Sequence, residues 1–445
     1  MSTALIGFAF VLALVFLRIP IAFAMGIVGV VGFAAIENWN WTAVLSPAAG
    51  NLLDTAQTES LTVIPLFVLM GMLVSKAGLA NELYRASYSF IGHRRGGLAM
   101  ATIVACGGFS AICGSSLATA ATMSKVAMPQ MRKFGYSDSL ATASIASGGT
   151  LGILIPPSVI LIIYGIMTEQ SIGKLFLAGI LPGLIGILFY LGAVQWTVFR
   201  KPNSGPAGER SSWSDRLDAV KDVWGIVLLF VIVLGGIYAG VYTVTEAAGI
   251  GAAGALGIAL LKRSMSWHAF FDALLTTIRT TAMLFTVLIG AQIFQVFIVR
   301  TGMPDDLVVF VTQFGVEPML VIFLILLVYI ALGCVFESLS MMLLTVPVFA
   351  PVVASLGFFP EYAGQVGTEL SLIWFGIVVV VVTEISLITP PVGLNVFVLR
   401  GVLGDVSTGT IFRGVTPFWI FDIFRLALLV LFPWIVLIVP WTMQG

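Results

Sequence analysis

Two short stretches of the sequence hold most of the groups that could bind an ion. They read GTLGILIPPS at 149–158 and EISLITPPVG at 384–393, and each sets a Pro-Pro pair beside small or hydroxyl-bearing residues inside a long apolar run. A proline inside a helix has no N–H, so the carbonyl four residues earlier loses its hydrogen bond. Such carbonyls, joined by serine and threonine hydroxyls, suit a hard monovalent cation. The two stretches therefore predict two sodium sites.

Each Pro-Pro stretch follows a polar turn that could complete its site. The turns are GGFSAICGSS at 107–116 and GCVFESLS at 333–340. We expect one turn and one Pro-Pro stretch to supply the ligands in each half of the chain. The predicted sodium ligands are Ser115, Gly149, Thr150 and Pro156 in the first half and Ser338, Thr383, Thr389 and Pro390 in the second. The alternative for each stretch is a simple proline kink that binds nothing.

Three ionisable residues in apolar surroundings are the other candidates for chemistry. Glu337 lies in the middle of an apolar segment, where a charge is costly, so it either marks a functional site or pairs with a helix end or a hydroxyl. Arg300 could hold a carboxylate through two parallel hydrogen bonds, or it could anchor a helix end at the membrane surface. Glu384 could serve the second cation site, or it could form a cap or a helix–helix hydrogen bond.

The rest of the chain must hold these groups inside a membrane. Of its 445 residues, 59% are hydrophobic and 9% are charged, whereas about a quarter of a soluble domain is charged. Apolar runs of about 20 residues, long enough to cross a bilayer, recur from end to end and predict an all-α polytopic membrane protein without a soluble domain. The formal net charge is zero, which gives no reason to expect a nucleic-acid partner. The three cysteines have no metal-ligand spacing.

The distribution of lysine and arginine predicts the topology. Basic residues cluster at Arg94 and Arg95, at Arg132 and Lys133, within 200–221, and at Arg400, Arg413 and Arg425. The positive-inside rule places these positions on the cytoplasmic side. The stretches 37–60 and 301–399 contain no lysine or arginine and are expected on the opposite side. Each polar turn then lies between two ends on the same side, which predicts two re-entrant helical hairpins that enter from opposite faces.

The two halves are predicted to be inverted-topology repeats. Pro182 follows Pro156 by 26 residues and Pro417 follows Pro390 by 27, so the halves stay in register. Inverted repeats with broken helices at the membrane midplane are typical of secondary transporters.

The predicted divisions are N-terminal scaffold helices at 1–60, the first repeat at 61–198 (hairpin about 96–130, broken helix about 138–168), a cytoplasmic linker at 199–222, central scaffold helices at 223–280, and the second repeat at 281–445 (hairpin about 318–354, broken helix about 370–400).

No motif predicts an enzyme. The sequence contains no HExxH, GxSxG or Walker A pattern, and its two histidines fall in basic loops. A channel would normally place a continuous pore at a symmetric subunit interface, and no feature of the sequence indicates one. We therefore expect a transporter with no catalytic residue and no organic cofactor.

Several motifs together resemble one known family. They are the stretch from GHRRGGL to GSSLAT at 92–119, GILIPPS at 152–158, VRTG at 299–302, the pattern GxxxESxxMxLLTxPxFxP from Gly333, and TPPVGLNVF at 389–397. The chain resembles, over essentially its whole length, the large permease subunit of tripartite ATP-independent periplasmic (TRAP) transporters. The resemblance implies a multi-pass protein of the bacterial inner membrane that imports organic acids with sodium by an elevator motion.

The same resemblance implies partners and substrate-binding residues. Members of the family receive substrate from a periplasmic binding protein and need a small membrane subunit of about four helices, which we expect here as a separate chain. The family's substrate residues map onto Ser116, Ser158, Arg300 and Glu337, although the family more often has aspartate at the last position. The alternative function is a stand-alone sodium or proton symporter of organic anions with the same inverted-repeat scaffold.

Overall fold

The computed structural model describes residues 2–362 and 365–443, and in this part of the chain every regular element is a helix. A bilayer core contains no water to satisfy backbone groups, and a helix satisfies them within its own segment. Within the described residues, seven helices are long and apolar enough to cross a membrane, or eight if one bent pair is counted as a single span.

Ten helices make up the first part of the chain. They are α1 (Ser2–Phe16), α2 (Ile21–Ile36), α3 (Trp41–Gln57), α4 (Val63–Lys76), α5 (Leu79–Ile91), α6 (Gly97–Cys113), α7 (Ser116–Lys133), α8 (Asp138–Thr150), α9 (Val159–Thr168) and α10 (Ile172–Arg200). Short 3₁₀ turns at Glu59–Thr62 and Leu151–Ile153 lie before α4 and after α8.

Eleven helices follow after a polar linker with a 3₁₀ turn at Pro202–Ser204. They are α11 (Trp213–Asp222), α12 (Trp224–Tyr238), α13 (Val244–Leu261), α14 (Trp267–Arg300), α15 (Met303–Gln313), α16 (Pro318–Leu332), α17 (Ser338–Ser355), α18 (Gln365–Ser386), α19 (Leu394–Leu403), α20 (Thr408–Leu431) and α21 (Trp434–Trp441). The bent pair is α11 and α12, which meet at 49°.

Two helical hairpins and two broken helices form the core of the fold, as the sequence predicts. The first hairpin consists of α6 and α7 with its tip at 114–115, and the second consists of α16 and α17 with its tip at 333–337. The first broken helix consists of α8 and α9, and the second consists of α18 and α19. We call the interruptions at 151–158 and 387–393 the first break and the second break. Each contains a Pro-Pro pair, with the peptide bond between the two prolines in the cis form.

The helices pack in two groups, and the second group contains the first hairpin and part of the first broken helix. In the first group, α14 packs on α2 and α4, and α13 packs on α4 and α12. The backbones of α2 and α14 approach closely at small residues, since a Cβ on Gly290 would lie 2.1 Å from Ala22 O and one on Gly29 would lie 2.8 Å from Phe294 N. In the second group, α8 packs on α6, α7 and α20, and α10 packs on α20. The groups meet where α4 packs on α6, and α14 of the first group also packs on α17 of the second hairpin.

Candidate functional site

The tip of the first hairpin packs directly on the first break. Gly114 has a left-handed φ of 62°, and a Cβ there would lie 3.1 Å from Pro157 O. A Cβ on Gly152 would lie 3.2 Å from the carbonyl carbon of Ser115, and one on Gly149 would lie 3.1 Å from Ser116 O. Glycine at these positions therefore lets the two backbones meet, which brings the predicted residues Ser115, Ser116, Gly149 and Thr150 together with Pro156 and Ser158 at one place.

The hydroxyl groups of the first break already have partners. Ser158 caps α9 by accepting from Leu161 N at 3.3 Å, and its own hydroxyl donates to Ile153 O. Thr150 donates to Ser147 O at 2.7 Å. Ser115 caps α7 by accepting from Ala118 N at 3.4 Å. These serine and threonine side chains thus hold the ends of interrupted helices, which leaves oxygen lone pairs for any ligand.

The tip of the second hairpin packs on the second break in the same way. A Cβ on Gly333 would lie 2.1 Å from Ser386 Cβ, and Cys334 Sγ lies 3.7 Å from Pro390 O. Thr389 donates to Ile385 O at 2.6 Å and accepts from Trp419 Nε1 at 3.0 Å. The predicted residues Thr389 and Pro390 therefore lie beside the second tip, where Ser338 is buried in the first turn of α17.

Buried oxygen atoms without a hydrogen-bond partner gather around the second break. They include Thr383 Oγ1 just before it and Asn395 Oδ1 just after it. The Asn395 amide donates to Ala146 O at 3.0 Å, so the second broken helix contacts α8 next to Ser147, whose Oγ is also buried and unpaired. A buried oxygen without a partner costs free energy unless a ligand or water satisfies it.

The structure places the two predicted ionisable substrate residues, Glu337 and Arg300, in different parts of the molecule. Glu337 is the N-cap residue of α17 and is half-buried, and its Oε1 accepts from Ser340 Oγ at 3.3 Å. Arg300 is the exposed last residue of α14, and its guanidinium carbon lies 5.6 Å from the centre of the Phe33 ring on α2. Glu337 thus belongs to the second tip, whereas Arg300 lies at the α2–α14 pair.

Sequence reasoning missed a cluster of fully buried charges. Arg425 on α20 donates through Nη2 to Glu384 Oε2 on α18, and the same nitrogen lies 3.0 Å from Asp422 Oδ1. We call Glu384, Asp422 and Arg425 the buried charge cluster, and each of the three is 0% exposed. The prediction that Arg425 marks the cytoplasmic surface is wrong, because its guanidinium is fully buried in contact with two carboxyl groups.

A sequence signal for this cluster exists. Asp422 and Arg425 stand three residues apart in the apolar segment WIFDIFRLALLV, and that spacing puts both on one face of a helix. Two ionisable residues of opposite sign inside a membrane segment indicate a buried, paired site and not a loop.

Comparison with known proteins agrees with this fold. The sequence model of the family described as "Tripartite ATP-independent periplasmic transporter, DctM component" matches residues 8–435. The C4-dicarboxylate TRAP transporter large permease protein DctM of Pseudomonas aeruginosa is 34% identical over 87% of this chain and 88% of its own length. The sialic acid TRAP transporter large permease protein SiaM of Vibrio cholerae is 30% identical over 96% of both chains.

A solved membrane transporter shares the architecture. The crystal structure of the Alcanivorax borkumensis YdaH transporter, described as having an unusual topology, superposes with a TM-score of 0.57. The superposition covers 89% of this chain and 90% of that one at 15% sequence identity. At this identity the likeness extends to the fold alone.

Proposed function

Because the chain belongs to the DctM family, the large permease component of tripartite ATP-independent periplasmic (TRAP) transporters, we propose that it couples the import of a small organic acid to sodium. In this proposal the chain is a multi-pass protein of the bacterial inner membrane. It takes substrate from a periplasmic binding protein and assembles with a small membrane subunit.

The contact of each hairpin tip with a Pro-Pro break carries the proposal. Each contact brings backbone carbonyls and hydroxyls together inside the protein. At the second contact, Thr383 Oγ1 and Asn395 Oδ1 are buried without a partner. Irregular backbone at membrane depth is tolerated where it is buried in protein or lines a cavity, and oxygen-only ligands select hard cations. We propose sodium at both contacts, with the ligands predicted from the sequence.

Sodium coupling can be tested in proteoliposomes that contain the chain, its small subunit and its binding protein. We expect an inward sodium gradient to drive substrate accumulation without ATP. Uptake that continues unchanged after choline replaces sodium would contradict the proposal.

Removal of a single hydroxyl group tests the second cation site. Thr383→Val removes the buried, unpaired Oγ1 and should raise the half-saturating sodium concentration about tenfold, because one ligand worth about 1.4 kcal/mol is lost. The matched control is Thr277→Val, since Thr277 is also buried but donates to Ala273 O at 2.8 Å, away from either break. An unchanged half-saturating sodium concentration in Thr383→Val would show that Thr383 is not a sodium ligand.

We propose Ser116, Ser158, Arg300 and Glu337 as substrate-binding residues for a carboxylate. The names of the two relatives, for C4-dicarboxylate and for sialic acid, support a substrate that carries a carboxyl group. A guanidinium can bind a carboxylate with two parallel hydrogen bonds, and an ammonium cannot. Arg300→Ala should therefore abolish uptake and Arg300→Lys should impair it severely, while both variants still assemble. Near-normal uptake by Arg300→Ala would make this residue a surface anchor on Phe33.

We also propose an elevator motion in which the hairpins and broken helices move against the helix group that contains α2, α4, α13 and α14. The close packing of each tip on its own break supports a single moving unit. A thiol cross-link from Cys113, at the first tip, to a cysteine introduced on the facing turn of α4 should stop transport in folded protein. Transport at the uncross-linked rate would contradict the motion.

A further inference from the structure

The buried charge cluster is connected to the first break by a chain of oxygen atoms. Asp422 Oδ2 on α20 lies 2.6 Å from the Tyr190 hydroxyl on α10. That hydroxyl lies 2.9 Å from Thr150 Oγ1, and Thr150 Oγ1 lies 2.7 Å from Ser147 O on α8. Asp422, Tyr190 and Thr150 are all 0% exposed, so these contacts are shielded from bulk solvent.

The number of hydrogen atoms available to this series of oxygen atoms indicates the protonation state of Asp422. All three oxygen–oxygen distances fall in the range of an O–H···O hydrogen bond, so each contact needs one hydrogen. Tyr190 and Thr150 supply one hydrogen each, and the Ser147 carbonyl supplies none. The third hydrogen has one remaining source, which is the carboxyl group of Asp422.

The charges of the cluster lead to the same result. With both carboxyl groups ionised, Glu384, Asp422 and Arg425 would leave one uncompensated negative charge at a site with no exposed atom. An unpaired buried charge is so unfavourable that the group neutralises instead. Among the residues described, the only other charged side chain in the buried class is Arg216, whose Nε donates to Ser89 O next to the linker.

The geometry of Arg425 indicates which carboxyl group is ionised. Its Nη2 donates to Glu384 Oε2, whereas Asp422 Oδ1 lies 3.0 Å from the same nitrogen without an aligned hydrogen bond. The ion pair is therefore Glu384 with Arg425, and the hydrogen counted on Asp422 removes the remaining negative charge.

We propose that Asp422 is a proton-binding site: its carboxyl group keeps a proton at neutral pH and donates it to Tyr190, which donates in turn to Thr150. The bound proton makes the cluster neutral. It also sets the direction of three hydrogen bonds that hold the end of α8 against α10 and α20. This assignment does not depend on which solute the protein carries.

The groups that face Asp422 come from each helix packed around it. Tyr190 faces it from α10, Glu384 lies across Arg425 on α18, and Arg425 is on its own helix. From α8 the chain of contacts brings the uncharged Thr150. On α19, Arg400 donates to Gly404 O and Val406 O at the loop before α20. Arg425 is thus the one cation beside Asp422 among these groups, and Glu384 already balances it.

Infrared spectroscopy of the full chain in lipid nanodiscs tests the proposal, because a protonated carboxyl group has its own C=O stretching band. Labelling the side-chain carboxyl carbon of aspartate with ¹³C should shift one such band at pH 7, and the same label in glutamate should leave that band in place. Asp422→Asn should lose the band, and the matched control Asp305→Asn, at an exposed aspartate, should keep it. No aspartate-derived band in the wild-type chain, or a band that persists in Asp422→Asn, would overturn the proposal.

Two further variants separate a bound proton from a purely structural side chain. Tyr190→Phe removes the acceptor of the proton and should shift the position of the aspartate band. Glu384→Gln removes the anion that balances Arg425, so Asp422 should release its proton and the band should disappear. A band that is lost when sodium replaces potassium in the buffer would show that a sodium ion supplies the missing charge, which would overturn the proposal. A band that neither variant changes would also overturn it.

Discussion

The two breaks are equivalent in sequence but differ in their surroundings. Pro156 and Pro157 of the first break are buried, whereas Pro390 and Pro391 of the second break are exposed. At the first break the hydroxyls of Thr150 and Ser158 donate to nearby carbonyls. At the second break Thr383 Oγ1 is buried without a partner. The prolines of the first break are therefore enclosed by protein, whereas those of the second break lie at the protein surface.

This difference shows that a repeated motif specifies the shape of the backbone and not its environment. Both Pro-Pro pairs interrupt a helix because proline lacks an N–H, which is a local property. Whether the interruption is sealed depends on the helices packed against it, and these differ between the halves. The N-cap position of the second hairpin arm illustrates this, because it is Ser115 in the first half and Glu337 in the second.

The largest effect is expected where the buried charge cluster connects the two breaks. Arg425→Met leaves the Glu384 carboxylate without a counter-charge, and removing one partner of a buried ion pair costs about 3–5 kcal/mol. We expect the purified variant to melt at a much lower temperature or not to fold. Arg413→Met, at an exposed position of the same helix, is the control. Equal melting of Arg425→Met and the wild type would show that the cluster does not join the breaks energetically.

Glu337→Gln tests whether the second contact is the functional one. The amide oxygen can still accept from Ser340, so folding should be retained, but the charge is removed from the second tip. We expect uptake to fall about a hundredfold, which corresponds to about 2.7 kcal/mol. Glu317→Gln is the matched control, since Glu317 is the exposed N-cap residue of the other arm of the same hairpin. Similar uptake rates for the two variants would contradict a role for Glu337.

Gly333→Ala sharpens the comparison between the tips. Position 333 requires glycine because a Cβ there would lie 2.1 Å from Ser386 Cβ. Position 114 requires glycine because its φ of 62° is left-handed. Overpacking of this kind costs about 1–3 kcal/mol in thermal or denaturant unfolding. The second change Ser386→Gly should restore stability at the second tip. Gly401→Ala, on α19 with no atom within 4 Å of the new Cβ, should be neutral. Failure of the rescue would mean that space is not the constraint.

The smallest effect is expected at the surface, where Arg132 connects the first hairpin to the first broken helix and to the loop that follows the second. Arg132 pairs with Asp138 at 2.9 Å and with Asp405 at 2.7 Å. The hydrogen bond from Arg132 lowers the pKa of the Asp405 carboxyl. A carboxyl with a lowered folded-state pKa stabilises the protein above its unfolded pKa of about 4, and the stabilisation is lost as the pH falls through the lowered value.

Asp405→Asn should therefore lower the melting temperature slightly at pH 7, and the difference from the wild type should vanish in acid. Melting curves at both pH values measure it. A difference that grows as the pH falls would contradict this sign.

Several parts of the fold and site could be predicted without the structure. The helix interruptions at Pro156 and Pro390 follow from proline, and the hairpin tips follow from polar, glycine-rich turns inside apolar runs. The position of Arg300 could not be predicted, because a basic residue at a helix end is equally compatible with a binding site and with the contact to Phe33. The assignment of sodium and substrate residues stays a prediction.

The sequence by itself determined that this is an all-helical membrane protein with two hairpins and two broken helices, because hydrophobicity and proline act on neighbouring residues. Only the tertiary structure decided which side chains Arg425 and Asp422 meet. Its partner Glu384 stands 41 positions away, and Tyr190 stands 232 positions from Asp422. No local pattern specifies which carboxyl group approaches a guanidinium over such separations. The packing of α10, α18 and α20 does, because a charge is stable inside a membrane protein only where a partner meets it.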